Sequence, residues 1–200
     1  MKFLKILSLA GLVFLLTQCY PEGPTTYDEM DIVYSNYYQG YNFASKKTYS
    51  IPDKIVKVDE NLVNGGSPSY VKATYADPIL AKIKQEMKDY GWTEVTVSDS
   101  PDVVLSPAAM EYTSTYYYYD YWYGGYYGWY YPYPVTASYT TGSLVVAMID
   151  PNLLTANDKQ TVVWTFIVNG LLEGSTSEFT NRFTKAINQA FIQSEYLKIK

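Results

Sequence analysis

The sequence predicts an α+β fold, with a mixed, largely antiparallel sheet and two helices packed on one of its faces. Two observations lead to this prediction. Two stretches carry an apolar stripe at helical spacing, and several short segments are rich in β-branched and aromatic residues. They follow the order strand, strand, helix, strand, strand, insertion, strand, strand, helix. A sheet with both helices on one face buries both stripes.

The first helix is predicted over residues 77–90. Asp77 suits the cap position, Pro78 suits the first helical position, and Gly91 suits the left-handed residue that often ends a helix. The inward face is expected to comprise Ile79, Leu80, Ile83, Met87 and Tyr90. The outer face is expected to comprise Lys82, Lys84, Gln85, Glu86 and Lys88.

The second helix is predicted at the end of the chain. Ser175 and Glu178 have the spacing of a capping box. The inward face that follows is expected to comprise Phe179, Phe183, Ile187, Ala190 and Phe191.

The strands are predicted from alternating or continuous apolar residues. They are expected over residues 30–38, 46–51, 92–97, 102–112, 143–149 and 161–168. Residues 64–69 and 151–158 are expected to be loops, because they combine Gly, Pro, Asn or Asp. Trp164, between apolar β residues, is expected to belong to the core.

The N-terminus is typical of a secretory signal. Lys2 and Lys5 accompany a short apolar stretch at residues 6–16. This stretch is shorter than the roughly 20 apolar residues of a membrane-spanning helix. It ends in Leu16-Thr17-Gln18-Cys19, which resembles the lipobox of bacterial lipoproteins, where the cysteine is lipidated and the peptide is cut before it.

The lipobox divides the chain into three parts. Residues 1–18 are expected to be a signal peptide, and residues 19–30 a tether anchored by lipid at Cys19. Residues 31–200 are expected to form a single α+β domain that contains an aromatic insertion at residues 112–134.

Composition excludes many kinds of chemistry. The chain has no histidine, and its one cysteine, Cys19, is expected to carry lipid. A Ser-His-Asp triad, a thiol nucleophile and a zinc site with Cys or His ligands are therefore excluded. A formal charge of −5 without a basic cluster argues against nucleic acid as a partner. We expect no catalytic residue, no metal site and no cofactor.

Two groups of acidic residues could in principle hold calcium or serve a glycosidase. They are Asp99 with Asp102, and Asp28 with Glu29 and Asp31. Neither group has the spacing of a calcium-binding loop. A solvated turn and a solvated linker are the favoured interpretations.

The aromatic insertion is the most unusual segment. Residues 112–133 contain twelve of the chain's 24 tyrosines and two tryptophans, and Gly124-Gly125 suits a hairpin turn. Three interpretations remain open: a projecting hairpin that binds a glycan, protein or membrane, a cover for the open sheet face, or a low-complexity segment. The first predicts that the insertion is separable from folding. Its ligand-binding candidates are Tyr117, Tyr119, Tyr121, Trp122, Tyr126, Trp129 and Tyr131.

A series of short motifs completes the sequence evidence. They are Phe43-Ala44-Ser45-Lys46-Lys47-Thr48-Tyr49, Tyr90-Gly91, Pro101-Asp102-Val103-Val104, the Tyr/Trp/Gly-rich stretch, Gly142-Ser143-Leu144-Val145-Val146 through Asp150-Pro151, and Val162-Val163-Trp164. In this order they resemble the bacterial lipoprotein family called domain of unknown function 4136. That family usually has a glycine soon after the Val-Trp pair, whereas here Gly170 comes late.

The resemblance implies an α+β domain on the periplasmic side of a membrane and no catalytic residues. We expect a non-enzymatic binding or scaffold module, anchored by lipid at a Gram-negative outer membrane, with an envelope glycan or protein as a further partner. The alternative is a carbohydrate-binding or carbohydrate-active protein that uses the aromatic insertion with Asp or Glu.

Overall fold

A computed structural model describes residues 32–63, 65–110, 114–118, 133–139, 142–154, 160–169 and 176–199. The strands are β1 (Val33–Tyr37), β2 (Thr48–Ser50), β3 (Val56–Val58), β4 (Ser69–Tyr70), β5 (Thr93–Glu94), β6 (Val103–Met110), β7 (Ser114–Tyr118), β8 (Tyr133–Tyr139), β9 (Ser143–Leu154) and β10 (Gln160–Val168). The helices are α1 (Glu60–Val63), α2 (Ala73–Asp89) and α3 (Thr176–Ile192), and short 3-10 helices cover Phe43–Ser45, Val97–Asp99 and Glu195–Leu197.

Eight of the described strands form one mixed sheet. Six of them follow one another in the order β1-β10-β9-β6-β2-β5, and β3 and β4 lie off this path. The pairs from β1 to β6 along this order are antiparallel, whereas β2 runs parallel to both β6 and β5. β3 follows β2 along the same side of β6, also parallel, and β4 pairs with β3. The predicted α+β fold with a mixed sheet is therefore confirmed.

Both long helices contribute to the core on one face of the sheet, which we call the helix face. α2 and α3 present the apolar stripes that the sequence predicted. The core they share with the sheet includes Ile79, Ile83, Met87, Phe183, Ile187, Phe191, Leu105, Val146, Met148, Trp164 and Phe166. Trp164 is fully buried, as expected, and its indole N–H donates to the Ser194 hydroxyl at 2.9 Å.

The opposite face of the central strands is also buried, and we call it the second face. Cross-strand pairs place small residues at its centre, Ser106 opposite Ala147 and Ala108 opposite Val145. Its buried side chains are Val104, Ser106, Ala108, Met110, Ser143, Val145, Ala147, Ile149 and Ile167. The second face is thus built from smaller side chains than the helix face.

β7 and β8 form a separate antiparallel pair, and the backbone of β8 passes close to β10. This pair lies where the sequence predicted a hairpin. The proposed turn at Gly124-Gly125 lies outside the described residues, and so does most of the aromatic insertion.

The predicted start of the first long helix is wrong. α2 begins at Ala73, so Pro78 lies inside the helix and Asp77 is not its cap. The extra turn is stabilised by tertiary contacts that local sequence does not reveal. Ala76 is buried, and the ring of Tyr75 meets the ring of Phe179 of α3 edge-on at 4.9 Å.

The end of the same helix is as predicted. Gly91 has a φ of +99°. Its N–H donates to the carbonyl of Lys88, and the N–H of Trp92 donates to the carbonyl of Met87, which is the hydrogen-bond pattern of a Schellman motif. Only a residue without Cβ adopts this conformation at little cost.

Glu86 is a second correction. It was expected on the outer face of the helix, but the residue is only 6% exposed and its side chain forms an ion pair with Lys82. The partner one turn earlier neutralises the carboxylate at the boundary of the core, which apolar periodicity alone does not show.

Several predicted boundaries also move. β5 covers only two residues of the segment 92–97, because Val97–Asp99 forms a 3-10 helix. Residues 151–154 belong to β9 instead of a loop, and Ser69 belongs to β4. A register shift between β9 and β10 accommodates Pro151, which could not donate to a regular ladder. The predicted capping residue Ser175 lies outside the described residues.

Candidate functional site

A polar cluster joins the β1–β2 connection to β9 at one end of the helix face. The Oδ2 atom of Asp150 accepts hydrogen bonds from the Tyr41 hydroxyl at 2.7 Å and from the Lys46 ammonium at 2.7 Å. Its Oδ1 atom accepts a bond of 2.8 Å from the backbone N–H of Asn152. We call Tyr41, Lys46 and Asp150 the Asp150 cluster.

The chain between β1 and β2 is shaped to bring these residues together. Gly40 has a φ of +89°, and the N–H of Tyr41 donates to the carbonyl of Tyr38. The 3-10 helix Phe43–Ser45 then ends with a bond of 2.9 Å from the N–H of Lys46 to the carbonyl of Phe43. Two successive turns therefore aim Tyr41 and Lys46 at the same carboxylate.

The electrostatics of the cluster favour an internally satisfied arrangement. Asp150 is 3% exposed, and a carboxylate so buried requires a cation and hydrogen bonds. Lys46 supplies the cation, and its ammonium also lies 5.6 Å from the centre of the Tyr41 ring. Burial, with the hydrogen bond to Asp150, raises the pKa of Tyr41 well above its usual value. Tyr41 is therefore held as a proton donor to Asp150.

Asp102 lies at the same end of the sheet and crosslinks β6 to β2. Its Oδ2 atom accepts hydrogen bonds from the backbone N–H groups of Lys47 (2.8 Å) and Thr48 (2.9 Å) and from the Thr48 hydroxyl. Burial raises the pKa of Asp102, but these hydrogen bonds outweigh it and the pKa is lowered. The carboxylate therefore fixes the start of a parallel strand pair.

Aromatic rings continue from the Asp150 cluster to the edge of the sheet. The Tyr41 ring meets the Phe43 ring edge-on at 4.7 Å, and Phe43 lies 5.6 Å from Tyr196. Tyr37 of β1 stacks on Tyr196 at 4.0 Å with an interplanar angle of 30°. Phe43 is buried and Tyr37 is exposed, so the group passes from the core to the surface.

The ligand-binding residues predicted from the sequence are not part of this arrangement. Tyr117 lies in β7, whose backbone alone is described. The remaining ligand-binding candidates lie outside the described residues: Tyr119, Tyr121, Trp122, Tyr126, Trp129 and Tyr131. The lipidation site Cys19 also lies outside them.

The acidic pair Asp99 and Asp102 does not act as a pair. Asp99 forms a capping box with Thr96 in a short 3-10 helix, whereas Asp102 binds β2. The interpretation of a solvated turn is therefore wrong for Asp102, because its partners are 54 residues earlier in the chain. The acidic residues Asp28, Glu29 and Asp31 lie outside the described residues.

The sequence did not single out Tyr41, Lys46 or Asp150 as a group. Lys46 and Asp150 each occur in a motif that carried the family resemblance, and this was the only available signal. Because 104 residues separate Lys46 from Asp150, neither spacing nor periodicity could bring them together. Local patterns do not report such long-range pairs.

The described ranges contain no cluster of three His, Cys, Asp or Glu residues that could hold a metal ion. Within the same ranges, no helix is long and apolar enough to cross a membrane.

These features define a class of protein: an α+β domain with one mixed sheet, two long helices on one face, and a polar cluster closed on itself at the sheet end. The model of the family called domain of unknown function 4136 matches residues 33–194. The chain belongs to this family, as the order of its motifs predicted.

A solved structure supports the assignment. A crystal structure of a protein of the same family from Bacteroides thetaiotaomicron is similar to this chain with a TM-score of 0.64 and 29% identity, covering 85% of this chain and 98% of that one. A crystal structure of a PDZ domain protein from Parabacteroides distasonis has a TM-score of 0.44 and 15% identity, covering 82% of this chain and 36% of that one. A comparison with curated proteins found no match.

Proposed function

We propose that this protein is a lipid-anchored lipoprotein of the cell envelope, and that its domain is a non-enzymatic binding or scaffold module. The lipid anchor is supported by the signal-like N-terminus and by the lipobox ending at Cys19. Two or three acyl chains on one cysteine give a stable anchor, whereas a single chain holds only marginally.

The proposal of a non-enzymatic role rests on the Asp150 cluster, whose polar groups bind one another. Lys46 and Tyr41 both donate to the same buried carboxylate, and the second oxygen of Asp150 accepts from Asn152. A catalytic base must lie within reach of a substrate proton, whereas Asp150 is only 3% exposed. Here the polar atoms join the β1–β2 connection to β9, which favours a structural role.

Metabolic labelling tests the anchor. Cells that express the full chain are fed an alkyne fatty acid, and the protein is captured and probed. We expect label on the wild type and none on Cys19→Ala, because the thiol is the only site for the first acyl chain. Equal labelling of both proteins would refute the anchor. Membrane fractionation of the same cells tests the outer-membrane location.

The side of the membrane is proposed from the residues after the cysteine. Tyr20-Pro21-Glu22 is not an acidic run of the type that some surface-exported lipoproteins carry. We therefore place the domain on the periplasmic side. Protease added to intact cells should leave the protein uncut and should cut it once the outer membrane is permeabilised; digestion in intact cells would place the domain on the surface.

A carbohydrate-binding function is the second candidate, favoured by the composition of the aromatic insertion. Tyr and Trp rings offer flat apolar faces with polar tips, which suit sugar rings at a wet surface. Purified peptidoglycan and envelope polysaccharide are the ligands to test by co-sedimentation. If the insertion binds, the triple variant Tyr121→Ala, Trp122→Ala, Trp129→Ala should lose retention, while Tyr70→Ala in β4 should retain it.

A further inference from the structure

The described residues that follow the tether form an exposed aromatic patch. Ile32 is 63% exposed, Tyr34 50%, Tyr37 41% and Tyr38 53%. These four are the majority of the seven large apolar side chains that are exposed in the described ranges. We call Ile32, Tyr34, Tyr37 and Tyr38 the β1 patch, because they lie on β1 or next to its ends.

The β1 patch occupies one edge of the sheet and both sides of that edge. β1 is the terminal strand, paired only with β10 among the described strands. Successive side chains of a strand point to opposite faces. Tyr37 stacks on Tyr196 on the helix face, whereas Tyr34 lies opposite Ile167, a residue of the second face. The rings therefore project on both sides of the strand.

The charge pattern fits an uncharged partner. No charged residue occurs between Ile32 and Ser45, and the tether residues 20–31 contain acidic residues but no Lys or Arg. Attraction to anionic lipid headgroups is thereby excluded as the driving force. Tyrosine is a residue of choice at the boundary between water and lipid, where its ring lies in the apolar region and its hydroxyl remains wet.

We propose that the β1 patch rests against the interfacial region of the bilayer to which Cys19 anchors the chain. This inference rests on the proposed function, since it requires the lipid on Cys19. Residues 20–31 separate Cys19 from Ile32, and a chain of that length spans at most roughly 45 Å. Such a tether keeps the domain close to the membrane but does not choose which side faces it. The exposed rings make that choice, because β1 is the described element joined directly to the tether.

Photo-crosslinking on vesicles tests the proposal. The chain from Cys19 onward is coupled through its only thiol to maleimide-phosphatidylethanolamine in phosphatidylcholine vesicles. The photoreactive residue p-benzoylphenylalanine replaces either Tyr34 or Tyr38, and Tyr70 is the matched control. Tyr70 is 45% exposed but lies in β4, which pairs with β3 on the far side of β6 from β1.

We expect lipid adducts from positions 34 and 38 that are several-fold more abundant than adducts from position 70. Equal adducts at all three positions, or none, would overturn the proposal. Adducts from position 34 to a second copy of the chain, without lipid adducts, would show instead that β1 pairs with another sheet edge. The coupling is chemical, so this result is independent of whether cells lipidate Cys19, which fatty-acid labelling decides separately.

A pair of substitutions separates contact from folding. Tyr34→Ser with Tyr38→Ser should leave the thermal midpoint close to that of the wild type, because both rings are exposed. The same variant should reduce lipid adducts from a probe at position 37 several-fold, while Tyr70→Ser should not. Unchanged adducts in the double variant would show that the rings do not hold the domain on the bilayer.

Discussion

The two faces of the sheet are both buried, but they are built differently. The helix face carries large side chains such as Trp164, Phe166 and Met148, and α2 and α3 fill the space above them. The second face carries Ser106, Ala108 and Ala147 at its centre. Large side chains suit a helix layer about 10 Å away, whereas small ones allow another layer to approach the backbone closely.

The comparison also concerns polar groups. On the helix side, the Trp164 indole donates to Ser194 and the Tyr41 hydroxyl donates to Asp150. On the second face, Ser50 pairs in register with Val104, and its buried hydroxyl has no hydrogen-bond partner among the described residues. The two helix-face donors are thus satisfied, whereas the Ser50 hydroxyl on the second face is not, within the described residues.

The largest expected effect is on the helix face. Ile83→Asp places an unpaired charge where no side-chain surface is exposed, and it should lower the free energy of unfolding by about 4 kcal/mol. Lys84→Asp is the control, since it replaces an exposed ion pair with Glu94 by two like charges at the surface, a change of about 1 kcal/mol. Urea denaturation measures both. Equal losses would contradict the assigned orientation of α2.

The next effect concerns the second face. Replacement of Tyr116–Tyr131 by a short Gly/Ser loop should lower the free energy of unfolding by at least about 3 kcal/mol if these residues keep water from the second face. A variant with the same residues in shuffled order controls for loop length. Wild-type stability in the Gly/Ser variant would instead support the expectation from sequence that the insertion is separable from folding.

A smaller effect is expected at the end of the helix face. Lys46→Met leaves the buried Asp150 carboxylate without its cation and should cost about 3 kcal/mol, whereas Tyr41→Phe removes one hydrogen bond and should cost about 1 kcal/mol. Lys47→Met, with an exposed side chain, is the control. Losses that simply add in the double variant Tyr41→Phe, Lys46→Met would show that the two donors act independently.

The smallest effect is the pH dependence of Asp102. Its pKa is lowered in the folded state, so its stabilisation is fully present above the unfolded value of about 3.9 and is lost as the pH falls through the folded pKa. Asp102→Asn should therefore flatten the decline in stability between about pH 5 and pH 2. Urea denaturation across that range measures the slope, with Asp77→Asn as the control. An unchanged slope would show that the carboxylate charge does not stabilise the β2–β6 pair.

Sequence patterns were sufficient to predict those elements whose stability depends on residues close together in the chain. The apolar stripes of α2 and α3, the left-handed Gly91 and the apolar strands β6, β9 and β10 follow from periodicity and from backbone preferences. The family resemblance also came from the sequence, because the order of short motifs can be read along the chain without knowing which motifs are in contact in the fold. The expected lipid anchor at Cys19 is likewise a local signal and stays a prediction.

Tertiary structure decided the features that depend on distant residues. The start of α2 at Ala73 relies on the contact between Tyr75 and Phe179, and the burial of Glu86 relies on its pair with Lys82. The parallel pairing of β2 and β3 with β6 and the meeting of Tyr41, Lys46 and Asp150 have no counterpart in local spacing. A buried charge is stable only with its partner in place. Only the folded chain brings the Asp150 cluster together.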